Sequence, residues 1–252
     1  MGLTSIEWTE RSWNPVTGCS KVSPGCDHCY AEAISLRFKR SVGPWTGANA
    51  KGNVVLHPER LDEPLKLRKP SMIFVCSMAD LFHDLVPLSF IWQVFSAMEA
   101  SPSHTFQVLT KRPGRMAYFA RWRALEGVGW PPNVWAGTSV ESAKYLPRLD
   151  VLDRVPAKVR FVSAEPLLSP LDLRPWLAPW GNWGIPTSEF DSPGRPAVLN
   201  WVIAGGESGP GFRKPHAEWF TSLRDQCQAA GVRFFFKQWG GAYPGGPALL
   251  DG

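Results

Sequence analysis

A chain of 252 residues with 44% apolar side chains can bury a substantial core, which excludes wholesale disorder. Its formal charge of +5 favours a polyanionic partner such as nucleic acid, although Lys and Arg form no dense block. The N-terminus does not read as a signal peptide, and no apolar run reaches the ~20 residues of a membrane helix. The five cysteines are clustered rather than spread as a disulfide framework, so a cytoplasmic setting with no membrane contact is expected.

Taken in chain order, short β-branched or aromatic runs alternate with longer amphipathic stretches. The predicted strands are Ile6–Trp8, Asn53–Leu56, Met72–Cys76, Thr105–Leu109, Val134–Gly137, Val159–Ser163, Trp201–Ala204 and Arg233–Phe236. The predicted helices are Asp27–Arg40, Ser89–Ala100, Pro113–Leu125, Ser142–Asp153 and His216–Ala230. Ser89 and Pro113 suit helix starts and Gly231 suits a stop. Strand and helix in this alternation imply parallel strands with crossover helices. About eight strands in this length match a (β/α) barrel of the TIM type, complete or partly open, with a doubly wound open sheet as the alternative. One domain spanning 1–252 is expected. Residues 171–198, rich in Pro and Gly with Trp176, Trp180 and Trp183, break the rhythm and read as an insertion before the seventh strand. Residues 240–252 read as a loose tail.

Cys19, Cys26 and Cys29 fall within eleven residues, directly after the first predicted strand and leading into the first helix. Thiolates gathered so closely repel unless a metal or cluster neutralises them. Gly18, Pro24 and Gly25 allow the loop to curl back. Three thiolates suit a four-iron cluster with one iron left open. A zinc site completed by His28 or His83 is the alternative, with simple packing as a third reading. Cys76 and Cys227 read as core.

Polar residues gather just beyond the strands, at the ends that form the active face of a barrel. Ser77, Asp80 and His83 follow one strand; Thr110, Lys111 and Arg112 the next; then Ser139 and Glu141, Glu165, Glu207 and Ser208, and finally Lys237 and Gln238. Asp80, Lys111, Glu165 and Lys237 are candidates for catalysis. Ser77, Ser139, Glu141, Gly205, Gly206, Glu207 and Ser208 are candidates for cofactor binding. The Gly205-Gly206 pair permits close backbone approach, so its N–H groups are expected to receive a carboxylate or phosphate. Lys111-Arg112-Pro113 can neutralise phosphate at the start of a helix or equally pair with Asp80 or Glu165.

The three-cysteine loop resembles that of the radical S-adenosylmethionine (SAM) superfamily, with a gap of six where three is usual there. More closely, the chain is similar to a radical-SAM-like three-cysteine family of phages and bacteria that has no assigned substrate. The resemblance is carried by Ile6-Glu7-Trp8-Thr9, Trp13-Asn14-Pro15-Val16-Thr17-Gly18-Cys19, Pro24-Gly25-Cys26-Asp27-His28-Cys29-Tyr30 and Ser77-Met78-Ala79-Asp80-Leu81-Phe82-His83. It continues through Leu109-Thr110-Lys111-Arg112-Pro113, Ser163-Ala164-Glu165-Pro166, Gly205-Gly206-Glu207-Ser208-Gly209 and Phe236-Lys237-Gln238-Trp239-Gly240. It implies a [4Fe-4S] cluster on Cys19, Cys26 and Cys29, whose open iron chelates SAM and splits it to a 5′-deoxyadenosyl radical. It also implies an electron donor such as flavodoxin or ferredoxin, and leaves room for a partner protein from a neighbouring gene. Charge and aromatic loops point the substrate toward DNA, RNA or a nucleotide. Two other functions stay open: a zinc-stabilised nucleic-acid-binding protein without catalysis, and a hydrolase or transferase working through Asp80, Glu165 and Lys237.

Overall fold

A computed structural model describes residues 1–177, 198–242 and 250. In chain order its strands are β1 (Gly2–Leu3), β2 (Arg11–Trp13), β3 (Val16–Thr17), β4 (Val55–Leu56), β5 (Met72–Val75), β6 (Thr105–Thr110), β7 (Val134–Ser139), β8 (Arg160–Ala164), β9 (Trp201–Gly205) and β10 (Arg233–Gln238). Its helices are α1 (Tyr30–Arg37), α2 (Ala50–Asn53), α3 (Leu88–Glu99), α4 (Pro113–Leu125), α5 (Pro147–Leu152), α6 (Arg174–Leu177) and α7 (Ala217–Ala229). One sheet has the order β1-β2-β5-β6-β7-β8-β9-β10, parallel throughout except for the antiparallel edge strand β1. Among the described residues the sheet has two free edges, β1 and β10, so the architecture is a partial barrel.

Two expected strands are corrected. Ile6–Trp8 is a turn, and the strand that pairs with β5 is β2. Trp8 instead packs across the inner face, with ring centroids 4.8 Å from Phe74 and 6.0 Å from Trp201. Asn53–Leu56 contributes only the two-residue strand β4, which pairs with β3 in a separate hairpin. The expected helix over 27–40 is shorter at both ends, and that over 142–153 is split into a 3-10 turn (Ala143–Tyr145) and α5.

Alternation along each central strand separates two apolar layers. Ile73, Val75, Val108, Val134, Ala136, Val162, Val202 and Ala204 join the large core shared with the helices. Phe74, Leu109, Trp135, Phe161, Ile203 and Phe235 face the other way and form a second cluster around Trp8. This cluster fills the barrel below the strand ends, so the polar ends above it open into cavities.

Most of the expected insertion, including Trp180 and Trp183, lies outside the described residues. Its first part is fastened down: Trp176 Nε1 donates to Asp150 Oδ1 at 2.9 Å, and Gln226 Nε2 donates to the Leu171 carbonyl at 3.0 Å. The start of the tail is pinned rather than loose. Gly241 N–H donates to the Glu207 carbonyl, and Gly209 N–H donates to the Gly241 carbonyl. No helix among the described residues is long and apolar enough to cross a membrane.

Candidate functional site

The cysteine loop begins at Gly18, whose φ of +79° and whose contact with the Asn53 carbonyl leave no room for a side chain; an added Cβ would lie 1.8 Å from that oxygen. Its N–H donates to the Met78 carbonyl at 2.9 Å. Cys26 sits in a 3-10 turn (Pro24–Cys26), and Cys29 is the cap residue from which α1 departs. Three short devices thus set three thiols around one cavity of about 160 Å³, which Cys76, Ser77, Asp80, Lys111, Arg112 and Ser139 also line. A second cavity of about 190 Å³ adjoins it and shares Gly25, Cys29, Tyr30, Phe74, Leu109, Lys111 and Ser139. Its wall is completed by Glu165, Gly206, Glu207, Ser208, Lys237 and Gln238.

All the expected site residues line these two cavities except Glu141 and Gly205. Glu141 is fully buried against Gly25: an added Cβ there would lie 3.1 Å from its side chain. One Glu141 oxygen accepts from Arg148 at 2.9 Å, and the other has no partner among the described residues. Gly205 lies against Glu165, where an added Cβ would fall 2.7 Å from Oε1.

Asp80 is a buried anchor. It accepts from Thr110 Oγ1 at 2.7 Å, Phe82 N–H at 2.9 Å, Lys111 N–H at 3.1 Å and Arg112 at 3.2 Å. These bonds use both its oxygens, so its visible work is to aim Arg112 rather than to move protons. Arg112 donates to Cys19 Sγ at 3.6 Å, and to the Ser20 carbonyl and hydroxyl at 3.1 Å each. Of the two pairings expected for Lys111-Arg112-Pro113, the structure has the one with Asp80, made by Arg112. Burial, reinforced by Asp80, pushes the Cys19 thiol up to about 12 despite Arg112. Burial also raises the Cys29 thiol, opposed by the N–H groups of Glu32 and Ala31 at the start of α1. Such thiols ionise when a bound cation takes up their charge.

The other side of the loop is clasped from β9. Glu207 accepts from His28 Nδ1 at 2.9 Å, from the Arg213 N–H and Nε at 2.9 Å each, and from the far end of the Arg213 guanidinium. Arg213 also donates to the Pro24 carbonyl at 2.8 Å and approaches Asp27 at 3.4 Å. Glu207 therefore holds the loop from across the barrel. The anion reading is corrected for Gly206. Gly206 N–H donates to the Gln238 carbonyl, and its carbonyl accepts from Gln238 Nε2, so its backbone is not available to an anion. It is glycine because an added Cβ would lie 2.0 Å from the Trp239 carbonyl oxygen. Ser208 Oγ accepts from Gln238 Nε2.

Within the second cavity, Lys237 pairs with Glu165 at 2.8 Å, and Glu165 also accepts from Ser163 Oγ at 3.1 Å. Lys111 lies where the cavities meet; its ammonium makes no hydrogen bond or ion pair among the described residues, and its charge acts on Cys29. Ser77 Oγ is tied to Asn14, and its carbonyl accepts from Tyr30 Oη at 2.8 Å. Cys76 and Cys227 are buried as expected, though Cys76 also borders the first cavity.

Neither histidine of the zinc reading is free. His28 is held by Glu207. His83 Nδ1 accepts the Leu85 N–H at 3.1 Å, so Nε2 carries the proton and donates to Ser20 Oγ at 2.8 Å. No group of three Cys, His, Asp or Glu among the described residues is gathered tightly enough for a single metal ion. Three cysteines in one cavity lining match in number the three protein ligands of a four-iron cluster with one open iron.

Comparison with known proteins adds a family and a fold. A family model described as a protein of unknown function (DUF5131) matches residues 3–246. No curated protein matches the chain. A solved cysteine-to-serine mutant of spore photoproduct lyase is similar over 94% of this chain and 79% of its own, at 12% identity and a TM-score of 0.52. Spore photoproduct lyase complexed with dinucleoside spore photoproduct aligns over 88% and 75%, at 11% identity and a TM-score of 0.47. At 12% identity the first likeness is one of fold: a mostly parallel sheet curled into a partial barrel.

Proposed function

We propose that this chain, which belongs to the DUF5131 family, is a radical-SAM enzyme that modifies or repairs a nucleic acid or nucleotide. The observation that carries this reading is the cavity ringed by Cys19, Cys26 and Cys29 at the C-terminal ends of a partial barrel, opening into a second polar cavity. In this reading the three thiolates hold a [4Fe-4S] cluster, and the half-buried thiols, one of them met by a guanidinium, fit a cationic iron site. A cluster so held, with SAM on its open iron, supplies one-electron cleavage of the sulfonium and hydrogen abstraction from a substrate.

The chain's own residues then orient and enclose. Asp80 fixes Arg112 against Cys19, and Glu207 with Arg213 fixes the turn bearing Cys26 and Cys29. Lys111, between the cavities and without an ion pair among the described residues, is the cation for a carboxylate or phosphate, with Ser77 and Ser139 beside it. The Glu165–Lys237 pair and Ser208 face the second cavity, where substrate is held. Gly205 and Gly206 let the strand ends approach closely, and Glu141 supports Gly25 of the loop. The net positive charge and the fold shared with spore photoproduct lyase support a nucleic-acid substrate. The protein works in the cytoplasm with a flavodoxin or ferredoxin as electron donor.

The test is anaerobic purification. The protein should be brown, with broad absorbance near roughly 400 nm, and Cys26→Ala should lose the colour. Reduced protein with SAM should release 5′-deoxyadenosine. A colourless protein with one equivalent of zinc refutes the reading, and a cluster that binds no SAM refutes its catalytic part.

A further inference from the structure

Helix α1 leaves the third cysteine with its apolar side outward. It buries only Ala31, Glu32 and Ser35. Tyr30, Ile34 and Phe38, four residues apart and so aligned along one face, stay 48%, 37% and 57% exposed. A surface helix normally turns that stripe toward the core.

The charge beside the stripe has one sign. Between Glu32 and Glu59 the sequence carries Arg37, Lys39, Arg40 and Lys51 and no carboxylate. The guanidinium carbons of Arg37 and Arg40 stand 5.6 and 5.4 Å from the centre of the Phe38 ring. The helix ends in a paired turn: Lys39 N–H donates to the Leu36 carbonyl, and Arg40 N–H to the Ser35 carbonyl. The residue at the left-handed position of such a turn is usually glycine. Here it is Lys39, with φ of 52°. A cation thus stands where backbone economy favours no side chain.

Building on the nucleic-acid reading above, we infer that this face of α1 is the docking track for a single-stranded nucleic acid. A base stacks on Phe38, phosphates meet Arg37, Lys39 and Arg40, and the strand runs along Ile34 to Tyr30, which borders both cavities. Eight residues of helix separate Phe38 from Tyr30, a rise of roughly 12 Å. An exposed ring takes an unstacked base, which a single strand offers and a duplex withholds.

The experiment is fluorescence anisotropy of the full-length protein with a short labelled DNA or RNA strand, and with the matching duplex, across a salt series. Phe38→Ala should weaken single-strand binding by about 5- to 150-fold, while Phe38→Trp retains it. The double variant Arg37→Gln/Arg40→Gln should lower the slope of log affinity against log salt by about 1.4. Lys39→Gly should raise the melting temperature yet lower that slope by about 0.7, a pairing of effects that a purely structural lysine does not produce. If the wild type binds and these variants bind equally well, the track is wrong while the nucleic-acid reading stands. If the wild type binds neither DNA nor RNA at low salt, the nucleic-acid reading itself falls. Equal or tighter duplex binding overturns the single-strand assignment, as does a dimer that Phe38→Ala dissolves, which assigns the face to a second copy.

Discussion

Glu207 joins segments nearly two hundred residues apart, and neutralising it tests whether the cysteine loop is held from outside. Glu207→Gln keeps the shape of the side chain and removes its charge. Burial alone pushes this carboxyl up, but the bonds from Arg213 and His28 outweigh it and hold it at about 2 rather than 4.5. That displacement corresponds to ~3 kcal/mol of stabilisation at neutral pH. Because the Arg213 side chain is 36% exposed, water recovers part of the loss, and ~2–3 kcal/mol is the expected cost of the substitution. At ~2–4 °C per kcal/mol for a chain of this size, the melting temperature should fall by roughly 4–12 °C.

The pH dependence has a definite sign. A carboxyl with a depressed folded-state pKa contributes fully above its unfolded value and loses that contribution as pH falls toward the folded value. The gap between wild type and Glu207→Gln should therefore be full at neutral pH and shrink between pH ~4.5 and pH ~2. Thermal or urea unfolding at pH about 7, 5 and 3 measures it. Equal stability at neutral pH, or a gap that stays constant across the acid window, refutes the clasp.

Arg112→Lys keeps the charge but loses the fork that reaches Cys19, Ser20 and Asp80 together. In cluster-loaded protein, losing the N–H···S bond removes stabilisation of the more negative reduced state, so the potential should drop by roughly 50–100 mV, at 59 mV per tenfold change for one electron. A redox titration followed by electron paramagnetic resonance reads this, and an unchanged potential counts against the bond. Gly206→Ala and Gly114→Ala should diverge in parallel thermal melts. At Gly206 the new Cβ would lie 2.0 Å from the Trp239 carbonyl oxygen and 2.6 Å from its carbon, so a loss above ~3 kcal/mol is expected. At Gly114, in the first turn of α4 with nothing within 4 Å, alanine should add ~0.5–1 kcal/mol. A Gly206→Ala protein as stable as wild type would show that the strand ends are not locked together there.

How much was legible depended on which signal each element uses. Strands β5 to β9 are buried on both faces or nearly so, and these, with the half-buried β10, read as compact apolar runs that periodicity locates within a residue or two. Strand β2 escaped because Arg11 and Ser12 are polar and only Trp13 is buried. The alternation in Ile6-Glu7-Trp8 that mimics a strand serves a turn whose indole packs the inner face. The expected count of eight strands thus agrees with the sheet while two of its members differ. Strand ends located the cavities, because most of the polar side chains just beyond the strands line them, Glu141 and His83 excepted. Their partners were not legible: Arg213 lies 186 residues from Asp27, and no local pattern in Gly209–Lys214 announces it. The same holds for Glu207, whose Gly-Gly context suggested an open ligand while its carboxylate is already engaged.

The six-residue gap between Cys19 and Cys26 takes on a physical meaning once these partners are known. Each part of the gap has its own fixing point. Ser20 is held by Arg112 and His83, Lys21 N–H donates to the Trp45 carbonyl, and the Pro24 carbonyl is taken by Arg213. The first cysteine is therefore governed by the β6 end of the sheet through Arg112. The second and third are governed by the β9 end through Glu207. A shorter loop has fewer backbone groups to offer, and fewer anchors to two separated strand ends. In a partial barrel with free edges at β1 and β10, a loop tied to both β6 and β9 also spans the strands between them. The longer gap lets one segment carry three thiols and brace the open end of the sheet.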